Sequence, residues 1–485
     1  MDTPELRLKR LNERPLRRDG EYVLYWMVAT RRLSWSYALD RALEHARALA
    51  RPLLILEPLD VSYRWASDRH HGAILDGMLD HARRLAGSPV GYHAYVEPRP
   101  SAGRGLLRAL TERACVLVTD DSPVFFTPQL LEAAGRASAC RAEAVDGCGL
   151  LPLRAADHPF SAAYHFRRFL QRQLPDHLLA APSPTPLDDP RLVPFHGLAP
   201  EIAERWPAAT LDLLADPATL GSLPIDHRVG PTGWTGGHAA AVARLRAFVS
   251  DGLPRYAAER NDPDADAVSR LSPWLHYGHL SVHEVLDAVA RSEGWSPARL
   301  SGSADGHREG WWGMSAAAES FLDELVTWRE MGYGFCAHEP AYDRYETLPG
   351  WARDTLEEHA ADPRDRIYSL EELAGAETDD ELWNAAQRQL VREGLIHNYL
   401  RMLWGKRILE WTHHPREALD VMVELNNRYA LDGRDPNSYS GIFWVLGRFD
   451  RGWPERTIFG KVRSMTSAST RRKVRLERYL ERWAT

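Results

Sequence analysis

Apolar and polar positions follow two different rhythms along this chain. Over roughly the first 180 residues, short apolar runs recur: YVLYWMVA (22–29), PLLILEP (52–58), GYHAYVEP (91–98) and CVLVTD (115–120). Runs of this length, rich in β-branched and aromatic residues, predict buried strands. Between them, segments such as SWSYALDRALEHARALA place apolar residues three and four apart, the spacing of an amphipathic helix. Strands alternating with helices predict a parallel sheet covered on both faces. The expected fold of residues 1–180 is therefore an α/β domain built on a doubly wound parallel sheet; these runs supply four strands, and a five-stranded sheet is expected. No GxGxxG follows the first strand, so a dinucleotide-binding fingerprint is absent.

The rhythm breaks at PSPTPLDDPRLVP (182–194), which holds five prolines in thirteen residues. Proline removes backbone donors and fixes φ, so this stretch predicts an extended connector, and residues 181–234 read as an interdomain linker. After about residue 235 the helical spacing dominates, in segments such as AAAESFLDELVTWREMGYGF, DDELWNAAQRQLVREG and REALDVMVELNNRYAL. Residues 235–485 are thus predicted to form an all-α domain.

Composition adds exclusions. With 44% hydrophobic and 26% charged residues the chain is an ordinary globular protein. No apolar run approaches the ~18 residues of a membrane span. Residues 1–20 carry charge throughout and lack the apolar core of a signal peptide. Cys115, Cys140, Cys148 and Cys336 form no CxxC pair, so neither a metal site nor a disulfide framework is predicted, and a cytoplasmic setting is expected. Net charge is −7, yet nine Lys/Arg against two Glu follow residue 455. A local basic surface on an acidic protein suits one polyanionic partner, or it is simply a solvated helix.

Three places in the helical half carry candidate chemistry. Ser269, Ser272 and Pro273 open a helix whose free N–H groups and hydroxyls suit a phosphate, although most such starts are only caps. Glu324 and Trp328 stand four apart on one helix face; in a cleft, desolvation by the indole would favour a proton-donating glutamate, although a surface glutamate beside a core tryptophan is the commoner arrangement. The stretch 427–453 is too rich in Gly, Asp, Asn and Pro for regular structure, and long loops inside helical domains are usually functional. It ends in Trp444 and Trp453, whose flat faces near arginines suit stacking on unpaired bases. Ten of the seventeen tryptophans lie beyond residue 300. Trp404 and Trp411, seven apart, share a helix face about 10 Å apart, which core packing alone would explain.

Taken in order, RNDP…SRLSPWLHYG, ELWNAAQ, RMLWGKRILEW, LNNRYALDGRDPNSY and ERTIFGKVRSM resemble the class II cyclobutane pyrimidine dimer photolyases of the photolyase/cryptochrome family. The likeness is dense from about 254 to 473 and thinner before. It implies a non-covalent FAD, folded into a U within the helical domain, whose light-excited reduced form passes an electron to a pyrimidine dimer in UV-damaged DNA. No metal is implied. Tyr256, Ser269, Leu271 and Ser272 would hold the FAD phosphates, with Arg329 assisting. Asn384 and Arg401, the latter paired to Asp432, would flank the flavin, and Asn426 would face its reactive edge.

Glu324 would support the charge that develops on the dimer. Trp328, Met402, Trp444 and Trp453 would line the pocket for the flipped-out lesion. Arg463 would enter the gap in the duplex, while Arg260, Arg471, Arg472 and Lys473 would contact phosphates. Trp404, Trp383 and Trp411 would relay electrons to the flavin in that order, with Trp411 near solvent. A monomer is expected, and an antenna chromophore of the deazaflavin type could occupy the α/β half. Residues 292–314, with Trp311 and Trp312, look like an inserted surface loop. The competing reading is a cryptochrome-like photoreceptor that keeps FAD and the relay but signals instead of repairing.

Overall fold

A computed structural model describes residues 2–484. The chain forms two compact units, each assembled from several segments. The first comprises the chain up to Ala156, Gln173–Arg246 and Leu271–Arg291; the second comprises Asp157–Arg172, Ala247–Arg270 and everything from Ser292 on. Contiguous domains divided at 180 and 235 do not describe this grouping, because the chain crosses between units more than once.

In the first unit, strands β1 (Leu8–Arg10), β2 (Tyr22–Trp26), β3 (Leu53–Leu59), β4 (Gly91–Val96), β5 (Ala114–Asp121) and β6 (Arg141–Asp146) form one sheet in the order β1-β6-β5-β2-β3-β4. The five strands β2 to β6 pair in parallel, and β1 adds a sixth, antiparallel strand at the edge. Side chains alternate between faces: Val23 and Tyr25 join one core cluster, Tyr22 and Leu24 the other. Both faces are buried, which is why these strands read as unbroken apolar runs.

Two strands lacked that signature. β1 is Leu-Lys-Arg, three residues with two charges, as suits a short protected edge. β6 contains Glu143, buried in the sheet but held by Arg41 and His45, each at 2.9 Å. Burial pushes its carboxyl up, yet those hydrogen bonds outweigh it and bring the pKa to about 2. A charged residue with buried partners thus interrupted the apolar run.

The loop after β2 shows why no nucleotide fingerprint is needed there. The backbone N–H groups of Val28, Ala29 and Thr30 all donate to the buried carboxylate of Asp120, at 2.8, 2.8 and 2.9 Å. Three successive N–H groups form an anion nest, and the chain's own side chain fills it. Residues 182–194 form no helix or strand, as the prolines require, but the remaining linker holds short helices at Pro200–Arg205, Leu211–Ala215 and Pro217–Ser222. Leu187 and Leu192 pack on the first core.

The second unit is helical, with its longest elements at Glu381–Glu393, Asn398–Trp411 and Pro415–Tyr429. Asp380 caps the first of these by accepting from Trp383 N–H, and Gly394 at φ 69° ends it, where a left-handed backbone favours glycine. Two stretches, Phe248–Gly252 and Asp323–Trp328, are π-helical. Such irregular turns cost stability and concentrate at functional sites. The segment 292–314 is mostly exposed, but Trp311 and Trp312 within it are buried, ring against ring at 4.9 Å. Among the described residues, no helix is long and apolar enough to cross a membrane.

Candidate functional site

The helical unit gathers most of the sequence-predicted residues. Tyr256 and Arg260 lie one turn apart, just after the first π-helical stretch. Arg260 reaches the carboxylate of Glu324, and its guanidinium lies 5.7 Å from the Tyr256 ring. Burial pushes the Tyr256 phenol up to about 12, with the charge of Glu324 adding to it. Glu324 and Trp328 both lie in the π-helical stretch Asp323–Trp328. Glu324 and Arg260 pair with each other, a contact that the role expected of neither residue included.

Arg329 is buried and donates to the Tyr333 hydroxyl at 3.1 Å, which donates in turn to Asp435 at 3.1 Å. Arg401 Nη2 lies 3.1 Å from Asp432 Oδ1. Asn384 is buried and brackets the loop before its own helix: its Oδ1 accepts from the Thr378 hydroxyl at 2.7 Å and its Nδ2 donates to Thr378 O at 2.7 Å. Asn426 is buried and donates to Asn427 Oδ1 at 3.1 Å. The backbone near it is crowded, since a Cβ on Gly433 would come within 2.9 Å of Asn426 O. Ser269 lies half-buried in this unit, whereas Leu271 and Ser272 belong to the first. The helix that starts there, Ser272–His276, has only five residues and offers little of the dipole expected from the sequence. Two guanidiniums, a buried phenol and two buried amides in one helical unit form a donor set that fits a diphosphate joined to a polar-edged ring system.

The three tryptophans of the paired helices are in contact. Trp383 is fully buried; its Nε1 donates to Trp404 O at 3.0 Å, and its ring meets the Trp411 ring edge-on at 5.4 Å. Trp404 is buried and donates to Gln387 Oε1 at 2.8 Å. Trp411 was expected near solvent, but it is only 4% exposed. It reaches water through a 490 Å³ cavity that it lines together with Tyr368 and Arg407. Tyr368 contacts Trp411 at 5.2 Å and the Arg407 guanidinium lies 4.3 Å from the same ring. Neither stood out in the sequence: Tyr368 lies in a loop fifteen residues before Trp383 and carries no periodic signal.

Trp444, Trp453 and Arg463 form a second aromatic group. The Arg463 guanidinium lies 5.4 Å from Trp444 and 4.2 Å from Trp453, and its Nε is 3.2 Å from Asp450 Oδ2. Lys406, which sequence reasoning passed over, is fully buried with Nζ 5.3 Å from the Trp444 ring and donating to Val445 O. Burial lowers its pKa to about 7. Its four-residue offset from Met402 on the same helix was the available signal. Trp328 and Met402 are half-buried. Arg472 and Lys473 are exposed, while Arg471 pairs with Glu381 at 2.8 Å.

A scan of protein-family models found no match. The chain is 33% identical over 477 residues to the deoxyribodipyrimidine photo-lyase of Methanothermobacter thermautotrophicus, covering 98% of this chain and 97% of that protein. It is 31% identical to the deoxyribodipyrimidine photo-lyase of Potorous tridactylus, covering 94% of this chain and 80% of that one. Among solved structures, a bacterial class III photolyase from Agrobacterium tumefaciens matches with a TM-score of 0.69 at 18% identity, over 96% of this chain and 86% of that one. That last likeness concerns the fold.

Proposed function

Since this chain belongs to the deoxyribodipyrimidine photolyases and is a light-driven DNA-repair lyase, we propose that it is of the class II type and uses the helical unit's residues as follows. Membership in this family implies a flavin, and the donor set of the helical unit fits FAD. Tyr256, Ser269 and Arg329 hold the diphosphate, and Arg401, fixed by Asp432, lies with Asn384 beside the ring system. Asn426 offers its amide to the ring's reactive edge. When bound and reduced, the FAD would supply light-driven one-electron chemistry for splitting the cyclobutane dimer.

The chain's own groups do the rest. The flipped lesion enters between Trp328, Met402, Trp444 and Trp453, and unstacking costs least for a base pair already distorted. Glu324 changes partner from Arg260 to the lesion as charge develops there, which is stabilisation specific to the reacting state. Arg260, released by that exchange, turns to the DNA backbone with Arg472 and Lys473; these contacts position without reading sequence. Arg463 fills the space the lesion leaves.

Trp411, Trp383 and Trp404 pass electrons inward one ring at a time. The observation that carries the assignment is that Trp383 touches both others, its indole N–H on the Trp404 carbonyl and its ring on Trp411, and that Trp404 lies on the helix that also bears Arg401. The protein acts as a monomer in the cytoplasm, where its four buried free cysteines stay reduced, and the α/β unit takes a deazaflavin-type antenna. The test is illumination of the reduced, FAD-loaded protein with dimer-containing DNA, following loss of the dimer. Tight binding without loss would turn the assignment toward a photoreceptor.

A further inference from the structure

The segment 292–314 supplies none of the residues assigned to flavin or lesion, yet its contacts lead to the neighbour of Glu324. Its base is closed by Ser301 N–H, which donates to Trp311 O at 2.8 Å, and by Trp295 Nε1, which donates to Trp312 O at 2.5 Å. The buried residues along it are Gly306, Trp311 and Trp312. Gly306 is gripped on both sides: its N–H donates to Gln171 Oε1 at 2.8 Å, and its carbonyl accepts from Arg167 Nη1 at 3.1 Å. Gln171 Nε2 also donates to His307 O at 3.0 Å. With φ at 87° and the Tyr164 ring 3.0 Å from where a Cβ would stand, glycine is required there.

Arg167 and Gln171 stand four apart on the helix Ala163–Leu178, so one face carries both. The rest of the Arg167 guanidinium goes to Asp323, Nε to Oδ1 at 2.9 Å and Nη2 to Oδ2 at 3.2 Å. Arg308, from the segment itself, places its Nε 3.4 Å from the same Oδ2. Arg167 and Asp323 are both buried. A two-pronged pair of this kind fixes a carboxylate in orientation as well as position. Asp323 opens the π-helical stretch Asp323–Trp328, and Glu324 follows it directly. An irregular turn persists where its surroundings over-determine it. A buried ion pair contributes little net stability, because desolvation offsets the attraction; what this one supplies is a fixed point.

We propose that Asp323 is a positioning residue for Glu324, braced by Arg167 and by the segment 292–314. The inference rests on the role given to Glu324 above. While Arg260 holds the Glu324 carboxylate, that side chain is fixed at both ends. When Glu324 turns to the lesion, the partner at the tip is gone and the backbone at Asp323 is the remaining anchor. A brace that matters after this exchange acts on the reacting state. It raises turnover and leaves binding of the lesion alone, because a misplacement of about 1 Å costs on the order of 100-fold in rate.

The experiment uses chemically reduced, FAD-loaded protein and an oligonucleotide carrying one dimer, with turnover under constant light and affinity in the dark measured separately. Gln171→Ala removes the side chain that holds Gly306 and His307, and Arg308→Ala removes the outer guanidinium. Each should lower turnover roughly threefold to tenfold while dark affinity and flavin absorbance stay as in wild type. Arg167→Lys keeps the charge without the fork and should lose turnover in the same way. In a Glu324→Gln background, Gln171→Ala should have no further effect, because both changes act through one carboxylate. Unchanged turnover in Gln171→Ala and Arg308→Ala, equal losses in the two backgrounds, or a loss of dark affinity as large as the loss of turnover would overturn the brace. If Glu324→Gln itself repairs at the wild-type rate, the role of Glu324 fails instead, and faster amide hydrogen exchange across 323–328 in Gln171→Ala still reports on the brace independently.

Discussion

Two groups of tryptophans in the helical unit show how one residue type serves two purposes. Trp404 and Trp383 are buried, donate hydrogen bonds to neutral protein acceptors and touch neighbouring helices. Trp444 and Trp453 are half-buried and share a guanidinium, with an ammonium under the first. A cation over an indole face is attracted to its π electrons and makes the ring harder to oxidise. The first pair is therefore suited to giving up an electron and the second to stacking without doing so. Trp411 stands between them: its ring meets that of Trp383, yet it lies under Arg407 and beside an acidic cavity.

The sharpest break of this comparison is Trp404→Phe. It should abolish photoreduction of the flavin in light while chemically reduced protein still repairs dimers, whereas Trp444→Phe should leave photoreduction intact. Transient absorption and a dimer-loss assay read the two separately. Glu324→Gln comes next and should lower the repair rate about tenfold, the worth of one charged hydrogen bond, with photoreduction unaffected. Arg463→Ala removes the cation between the second pair. Binding to dimer-containing DNA should weaken several-fold, and if the guanidinium also meets a phosphate the salt dependence should fall by about one unit of slope.

The smallest effect concerns Lys406. Its pKa of about 7 lies below the ordinary lysine value, so the unfolded chain holds one more proton between the two. Stability from this group should therefore rise with pH from about 7 upward, and be reduced below that as the buried amine is forced to charge. Lys406→Met should flatten that part of the profile in denaturant titrations across pH. A profile identical in wild type and variant would mean that Lys406 stays charged beneath Trp444, strengthening the contrast between the two groups.

Much of the fold was legible because apolar periodicity reports burial directly. The parallel sheet core and the helical second half follow from runs and spacings alone. β6 was hidden because Glu143 is buried through ion pairing, and β1 because an edge strand of three residues has no pattern to read. At the site, motif likeness pointed to Glu324, Arg260, Arg401 and Asp432 separately. That Glu324 and Arg260 hold each other was invisible, since sixty-four residues separate them and both were assigned to a substrate.

Sequence by itself determined the family, the alternation of layers and which side chains are candidates for the chemistry, because these depend on local order and residue type. Tertiary structure decided the rest. It set Trp383 between two residues that follow it in the chain, turned Glu324 toward a guanidinium through a π-helical turn, buried Lys406 under an indole and sank Trp411 into an acidic cavity. Each of these results from packing between helices distant in sequence. Burial and charge environment come from neighbours in space, which no spacing along the chain encodes.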